Sequence, residues 1–343
     1  MKMTLKRAIA SVLSVFLLVS ALFSLSACNR GGADKAVIAA PDGAPALAMA
    51  GLLGLSEIEG VETDFRVVTS DGSTEAATVV GAKLVSGEYD MAVLPTNLAA
   101  TLYNKGADIK LAAVVTWGNL YLVSKGAPLS GLAELEGKVV YTVSRSGPPD
   151  TVFKKLLSES GVDIASEDEY SVNTDGTVSP VSGKVVLKYM PATTIMPYLK
   201  QNKIEYAVLA EPAVTNAMNA VGAELKTVLD FQHEWQKMTG SNSYPQASLI
   251  VRSEFAEGNK KFVEEFINRL SDARDYLTEQ ENLDTAIQAV KALAPSTSLN
   301  YITVQSAARC GIKCLAAAEC KNDITDYLSL FNLTADDGFF YEK

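Results

Sequence analysis

The chain has 343 residues, of which 48% are hydrophobic and 20% charged, with 23 Gly and 12 Pro, a composition that fits a folded globular protein and excludes a disordered or fibrous one. Forty Asp and Glu against 30 Lys and Arg give a net charge of −10, which argues against nucleic acid or an anionic lipid surface as partner. The length exceeds what one hydrophobic core usually supports, so two lobes are expected.

Lys2, Lys6 and Arg7 precede an uncharged run from Ala8 to Ala27, the layout of a secretory signal. A run of this length can also cross a hydrocarbon layer of ~30 Å, although Ser11, Ser14, Ser20, Ser24 and Ser26 dilute it. The closing Leu25-Ser26-Ala27-Cys28 resembles the lipobox of bacterial lipoproteins. The resemblance implies a signal over 1–27, a lipidated Cys28 with a tether over 28–35, and a fold held at the extracytoplasmic face of a membrane. Without the leader, 27 basic residues face 40 acidic ones, a charge of −13.

After the tether, 36–40 reads as a buried strand, 41–45 as a turn and 46–55 as a small-residue helix. A strand over 64–69, a helix through Leu84, a strand over 89–94 and a helix to Tyr103 follow. Lys110 to Val115 form a further strand that runs through Trp117-Gly118-Asn119 into 120–124. The pattern restarts with a strand over 137–143, a Ser144-to-Pro149 loop, a helix over 150–160, strands over 185–189 and 207–210, and a helix over 193–201. Residues 162–183 read as a surface excursion. Strands over 225–229 and 244–251 precede helices over 259–279, 283–293 and 324–331. Alternation of this kind predicts an α/β protein with doubly wound, mostly parallel sheets and binding loops at the strand carboxyl ends.

Three stretches carry a family resemblance: Gly81-Ala82-Lys83-Leu84-Val85-Ser86-Gly87-Glu88-Tyr89-Asp90-Met91-Ala92-Val93-Leu94, Leu132 to Val140, and Tyr206-Ala207-Val208-Leu209-Ala210-Glu211-Pro212. In this order, and behind a lipobox, they resemble solute-binding proteins of ABC importers with the type II periplasmic-binding fold, in the nitrate, sulfonate, taurine and thiamine-pyrimidine group. The resemblance implies two α/β lobes, lobe 1 from 36–116 plus 232–343 and lobe 2 from 117–231, joined by two crossover strands. It further implies a small-molecule solute, permease subunits as partners, a monomer, and no cofactor.

Backbone N–H groups at helix starts attract anionic or polar groups. On that ground the candidate ligand residues are Asp42, Gly43, Ala44, Thr69, Ser70, Thr96, Asn97, Ser144, Arg145, Ser146, Gly147 and Thr193. Each of these polar residues also caps helices in ordinary structural roles. Trp117 and Asn119 lie at the first crossover, where the indole is either a stacking floor or hinge packing. Tyr244 and Gln246 are placed to close the cleft. Arg145 is suited to a forked contact with a carboxylate or sulfonate, or to a surface ion pair. Glu211 at a helix start complements the dipole or, facing the cleft, favours an amine or ring N–H.

Cys310, Cys314 and Cys320 fall in a segment that reads as helical; buried thiols, a disulfide involving Cys320 and a metal site all remain open. A single histidine, His233, and the absence of a nucleophile–base constellation or P-loop argue against an enzyme. Solute capture is the leading expectation; a ligand-presenting surface sensor and an enzyme on the same fold are the alternatives.

Overall fold

The structure, a computed structural model, describes residues 32–70, 75–143 and 145–342. The leader, Cys28 and Ser144 lie outside the described residues. The strands are β1 (Lys35–Pro41), β2 (Glu57–Ile58), β3 (Val61–Val68), β4 (Met91–Pro95), β5 (Ile109–Trp117), β6 (Leu120–Ser124), β7 (Val139–Thr142), β8 (Val186–Tyr189), β9 (Tyr206–Ala210), β10 (Lys226–Asp230), β11 (Pro245–Arg252) and β12 (Ile312–Ala316). They form two sheets, ordered β12-β5-β11-β4-β1-β3-β2 and β10-β6-β9-β7-β8.

The central strands are apolar on both faces because helices cover both. Ile38 to Ala40 and Met91 to Leu94 are fully buried. Helices α1 (Ala44–Ala48), α2 (Ala76–Val85) and α3 (Thr96–Asn104) follow strands of the first sheet. Helices α4 (Pro148–Glu159), α5 (Ala192–Lys200), α6 (Ala213–Val221) and α7 (Phe231–Thr239) belong with the second. The C-terminal third then returns to the first sheet: Phe262, Phe266 and Leu270 cover one face and Ile324 and Leu328 the other.

Between the named strands, the parallel pairs are β1 with β3 and β4, and β7 with β8 and β9. The sheets are therefore mixed rather than mostly parallel. The reason is topological: β5 leaves the first sheet for the second while β11 returns from it, so the two pair antiparallel, as β6 does with β9 and β10.

Three local expectations change. The helix expected through Leu55 stops at Ala48, ahead of Gly51 and Gly54, which contribute no helix propensity. The return boundary expected between residues 231 and 232 moves, because Asp230 caps α7 by accepting N–H bonds from Gln232 (2.8 Å) and His233 (3.2 Å). That helix lies on the second lobe, with Phe231 stacked on Phe153 at 5.0 Å, so the chain crosses back after Thr239. The cysteine segment is not helical: Cys314 lies in β12, and no disulfide joins Cys310, Cys314 and Cys320.

The two passages between the lobes are tied together. Gly118 N–H donates to Ser243 Oγ (2.9 Å), and Gln232 bonds both the N–H and the carbonyl of Leu120 (3.0 and 3.1 Å). Tyr244 donates to the same Gln232 oxygen (2.9 Å) and stacks on Tyr327. Gly118 is required here, since a Cβ would stand 2.6 Å from Tyr244 Cζ. Gly118→Ala is expected to destabilise the protein by about 1–3 kcal/mol through overpacking. Gly131→Ala, where nothing lies within 4 Å, should change stability little; urea unfolding of both variants checks the pair.

Candidate functional site

The loops after β1, β3, β4, β7, β8 and β9 meet in the gap between the sheets, the crevice in which open α/β sheets bind ligands. A cavity of about 390 Å³ is lined from the first lobe by Asp42, Gly43, Ala44, Pro45, Pro95, Thr116, Gln246, Ala247 and Ser298. From the second lobe come Asn119, Gly147, Pro148, Pro149, Ala210, Glu211, Pro212, Ala213 and Asn216. A neighbouring hollow of about 650 Å³ shares Asp42 and Glu75 and continues past Ser70, Val143, Tyr189, Met190 and Pro191. The lobes approach closely at Gly43 (φ 98°), where a Cβ would lie 3.3 Å from Pro212 Cδ.

The acidic groups of this cleft are engaged within the protein. Asp42 accepts from Thr297 Oγ1 and from Ser298 N–H (2.7 Å), which moors the β1 loop to the C-terminal segment. Glu211 is buried; it caps α6 by accepting from Thr215 N–H (3.1 Å) and pairs with Arg309 at 2.6 Å across the lobes. Asp150, 1% exposed, accepts from Ser146 N–H (2.6 Å), Lys154 (2.9 Å) and Tyr189 Oη (2.7 Å). Burial, with that bond to Asp150, raises the Tyr189 phenol above its usual pKa.

Helix-start donors are used in the same way. Ala76 N–H, at the start of α2, goes to Ser70 Oγ (3.1 Å), and α4 opens on Pro148 and Pro149, which have no N–H to give. By contrast, four residues lining the cavity keep a buried oxygen with no hydrogen-bond partner: Thr116 Oγ1, Asn119 Oδ1, Asn216 Oδ1 and Gln246 Oε1. The orientation of two amides follows from their nitrogens, since Asn119 Nδ2 donates to the Glu211 carbonyl (3.2 Å) and Asn216 Nδ2 to the Ser298 carbonyl (2.8 Å). A buried polar atom left unpaired costs about 1–3 kcal/mol.

Of the residues singled out in the sequence, Asp42, Gly43, Ala44, Ser70, Asn119, Gly147, Glu211 and Gln246 lie together along the cleft. Ser144 lies outside the described residues, and the others do not line it. Thr96 is buried against Ser248, with the hydroxyls 2.8 Å apart, and Asn97 lies beside it on α3. Trp117 is 8% exposed and donates Nε1–H to the Lys313 carbonyl (3.0 Å), so it packs behind the crossover and provides no stacking floor. Tyr244 is fully buried in the aromatic stack, and burial drives its phenol pKa well up. Arg145 pairs with Glu167 over the Tyr189 ring, and Ser146 takes φ 63° to direct its N–H at Asp150. Thr69 and Thr193 sit beside the lining without joining it, Ala192 facing the hollow in place of Thr193.

Sequence reasoning missed Thr116, Asn216, Ser298 and Arg309. Thr116 carried a usable signal, because strand alternation puts it on the face opposite Trp117. Ser298 and Arg309 carried none.

No protein-family model matches the sequence, and no curated protein does. Solved structures do. The fold is that of the two-lobed solute-binding proteins of ABC import systems. Among its neighbours are an ABC transporter protein of Parabacteroides distasonis (24% identity over 90% of this chain and 99% of that one, TM-score 0.70) and the periplasmic aliphatic sulphonate-binding protein SsuA of Escherichia coli (13%, 90% and 92%, TM-score 0.64). A third is the zinc-bound ligand-binding component of an ABC-type import system of Staphylococcus aureus (16%, 90% and 96%, TM-score 0.62).

Removing one partner of a buried ion pair strands the other. Arg309→Met is therefore expected to cost about 3–5 kcal/mol, whereas Glu211→Gln combined with Arg309→Met should cost less than the single change. Urea unfolding of the double-mutant cycle gives the coupling directly.

Proposed function

We propose that this protein captures a small solute between its lobes and delivers it to the permease of an ABC importer, while Cys28 carries a lipid that holds it at the extracytoplasmic membrane face. The observation that carries this reading is the cleft itself. Loops from both sheets converge on one cavity, the sheets are joined through a short pair of crossovers, and unpartnered oxygens wait in the lining. The names of the structural neighbours point the same way.

Capture in such a fold is hinge closure. The ligand touches both lobes when they are shut and one when they are open, so its differential affinity shifts the population to the closed form. The crossovers at Gly118-Asn119 and at 240–244 are where the backbone turns. The protein acts as a monomer that needs no cofactor, and the lining residues supply affinity rather than chemistry.

A solute at ~100 times its dissociation constant should add about 2.7 kcal/mol of stability, seen as a rise in Tm, and should reduce the radius of gyration in X-ray scattering. Binding with no compaction would remove the hinge from the account. A cavity substitution such as Asn119→Leu should abolish both effects, while Trp117→Phe, behind the crossover, should preserve them.

A further inference from the structure

We propose that the solute this cleft takes is uncharged or positively charged and presents N–H or O–H donors on a compact, largely apolar body; the inference rests on the capture reading and narrows it. Two observations carry it. The first is charge. Among the described residues lining the cavity and its neighbouring hollow there is no Lys, Arg or His, while Asp42, Glu75 and Glu211 are present. The nearest cations are committed elsewhere: Arg309 to Glu211, Arg145 to Glu167 and Lys154 to Asp150. A sulfonate, nitrate or carboxylate entering the cleft would lose its hydration without meeting a countercharge.

The second is the polarity of the hydrogen-bonding groups. Some helix-start donors near the cleft are already taken, Ala76 N–H by Ser70 and Thr215 N–H by Glu211, and α4 begins with proline. Four buried side-chain oxygens of the lining remain unpaired. Asn119 and Asn216 each donate one amide N–H to a carbonyl and keep Oδ1, and Gln246 keeps Oε1. Thr116, 1% exposed, adds a hydroxyl that can accept as well. An amine, amidine, amide or polyol satisfies these atoms. An oxyanion finds a donor only in the Thr116 hydroxyl among these four groups. The remaining wall, with Ala44, Pro95, Pro148, Pro149 and Ala213, suits an apolar body.

The test compares matched pairs that share a body and differ in headgroup, by thermal shift and calorimetry on the full chain: benzylamine and benzamidine against benzenesulfonate, and cyclohexylamine against cyclohexanesulfonate. The amine and amidine members are expected to raise Tm and the sulfonates to leave it unchanged. Gln246→Lys should weaken the amines by ten-fold or more and admit a sulfonate. Thr116→Val, which keeps the shape and deletes an unpaired hydroxyl, should raise the Tm of the ligand-free protein by roughly 2–4 °C while weakening the amines. A sulfonate that binds where its amine twin does not overturns the solute class and leaves capture standing. No shift from either series overturns both, and a Thr116→Val protein no more stable than the original overturns the assignment of that oxygen to the solute.

Discussion

The structure depends on one constraint, that both passages of chain between the sheets run side by side and share hydrogen bonds. Gln232 stands at the centre of it, holding Leu120 by both backbone groups and accepting from Tyr244, while Ser243 takes the N–H of Gly118. Two strands pinned this closely leave the lobes one pivot. Each side of the pivot has its own buried core. The aromatic column of Trp235, Tyr244 and Tyr327 fills the space behind the pivot and rests α7 of one lobe against the C-terminal helix Lys321–Ser329 of the other.

At the open side of the same pivot, few groups span the gap, and each does a definable thing. Arg309 and Glu211 form the charged contact, placed where Tyr121 donates its hydroxyl to the Arg309 carbonyl (3.2 Å). Asn216 reaches the Ser298 carbonyl. Between these contacts lie the four unpartnered oxygens of the lining.

Much of this was legible before the fold was known. Length and the family resemblance pointed to two lobes, and helix starts after strands marked Asp42, Gly43, Gly147 and Glu211, which line the cleft. Of the two readings of Trp117 the packing one agrees with its place in the structure, and Tyr244 lies in the aromatic stack outside the lining, for a physical reason. Position along the chain locates the crossover, but side-chain direction follows a period of two, so the residue before Trp117 faces the cavity while the indole faces away. At the other crossover the pairing register shifts between Pro245 and Ala247, so alternation cannot be read there. Ser298 and Arg309 come from a segment nearly a hundred residues beyond Glu211, and no local pattern links them to it. Helix starts are visible in sequence, but whether their N–H groups are already taken depends on side-chain placement such as that of Ser70 at Ala76 and Glu211 at Thr215.

The most direct check is to identify what the protein carries in the cell that makes it, by native mass spectrometry of the intact complex followed by release of the bound species on unfolding. A small neutral or basic molecule bearing N–H or O–H donors, retained by the original protein and lost from Asn119→Leu, is the predicted result. A sulfonate, nitrate or carboxylate as the retained species would contradict the account.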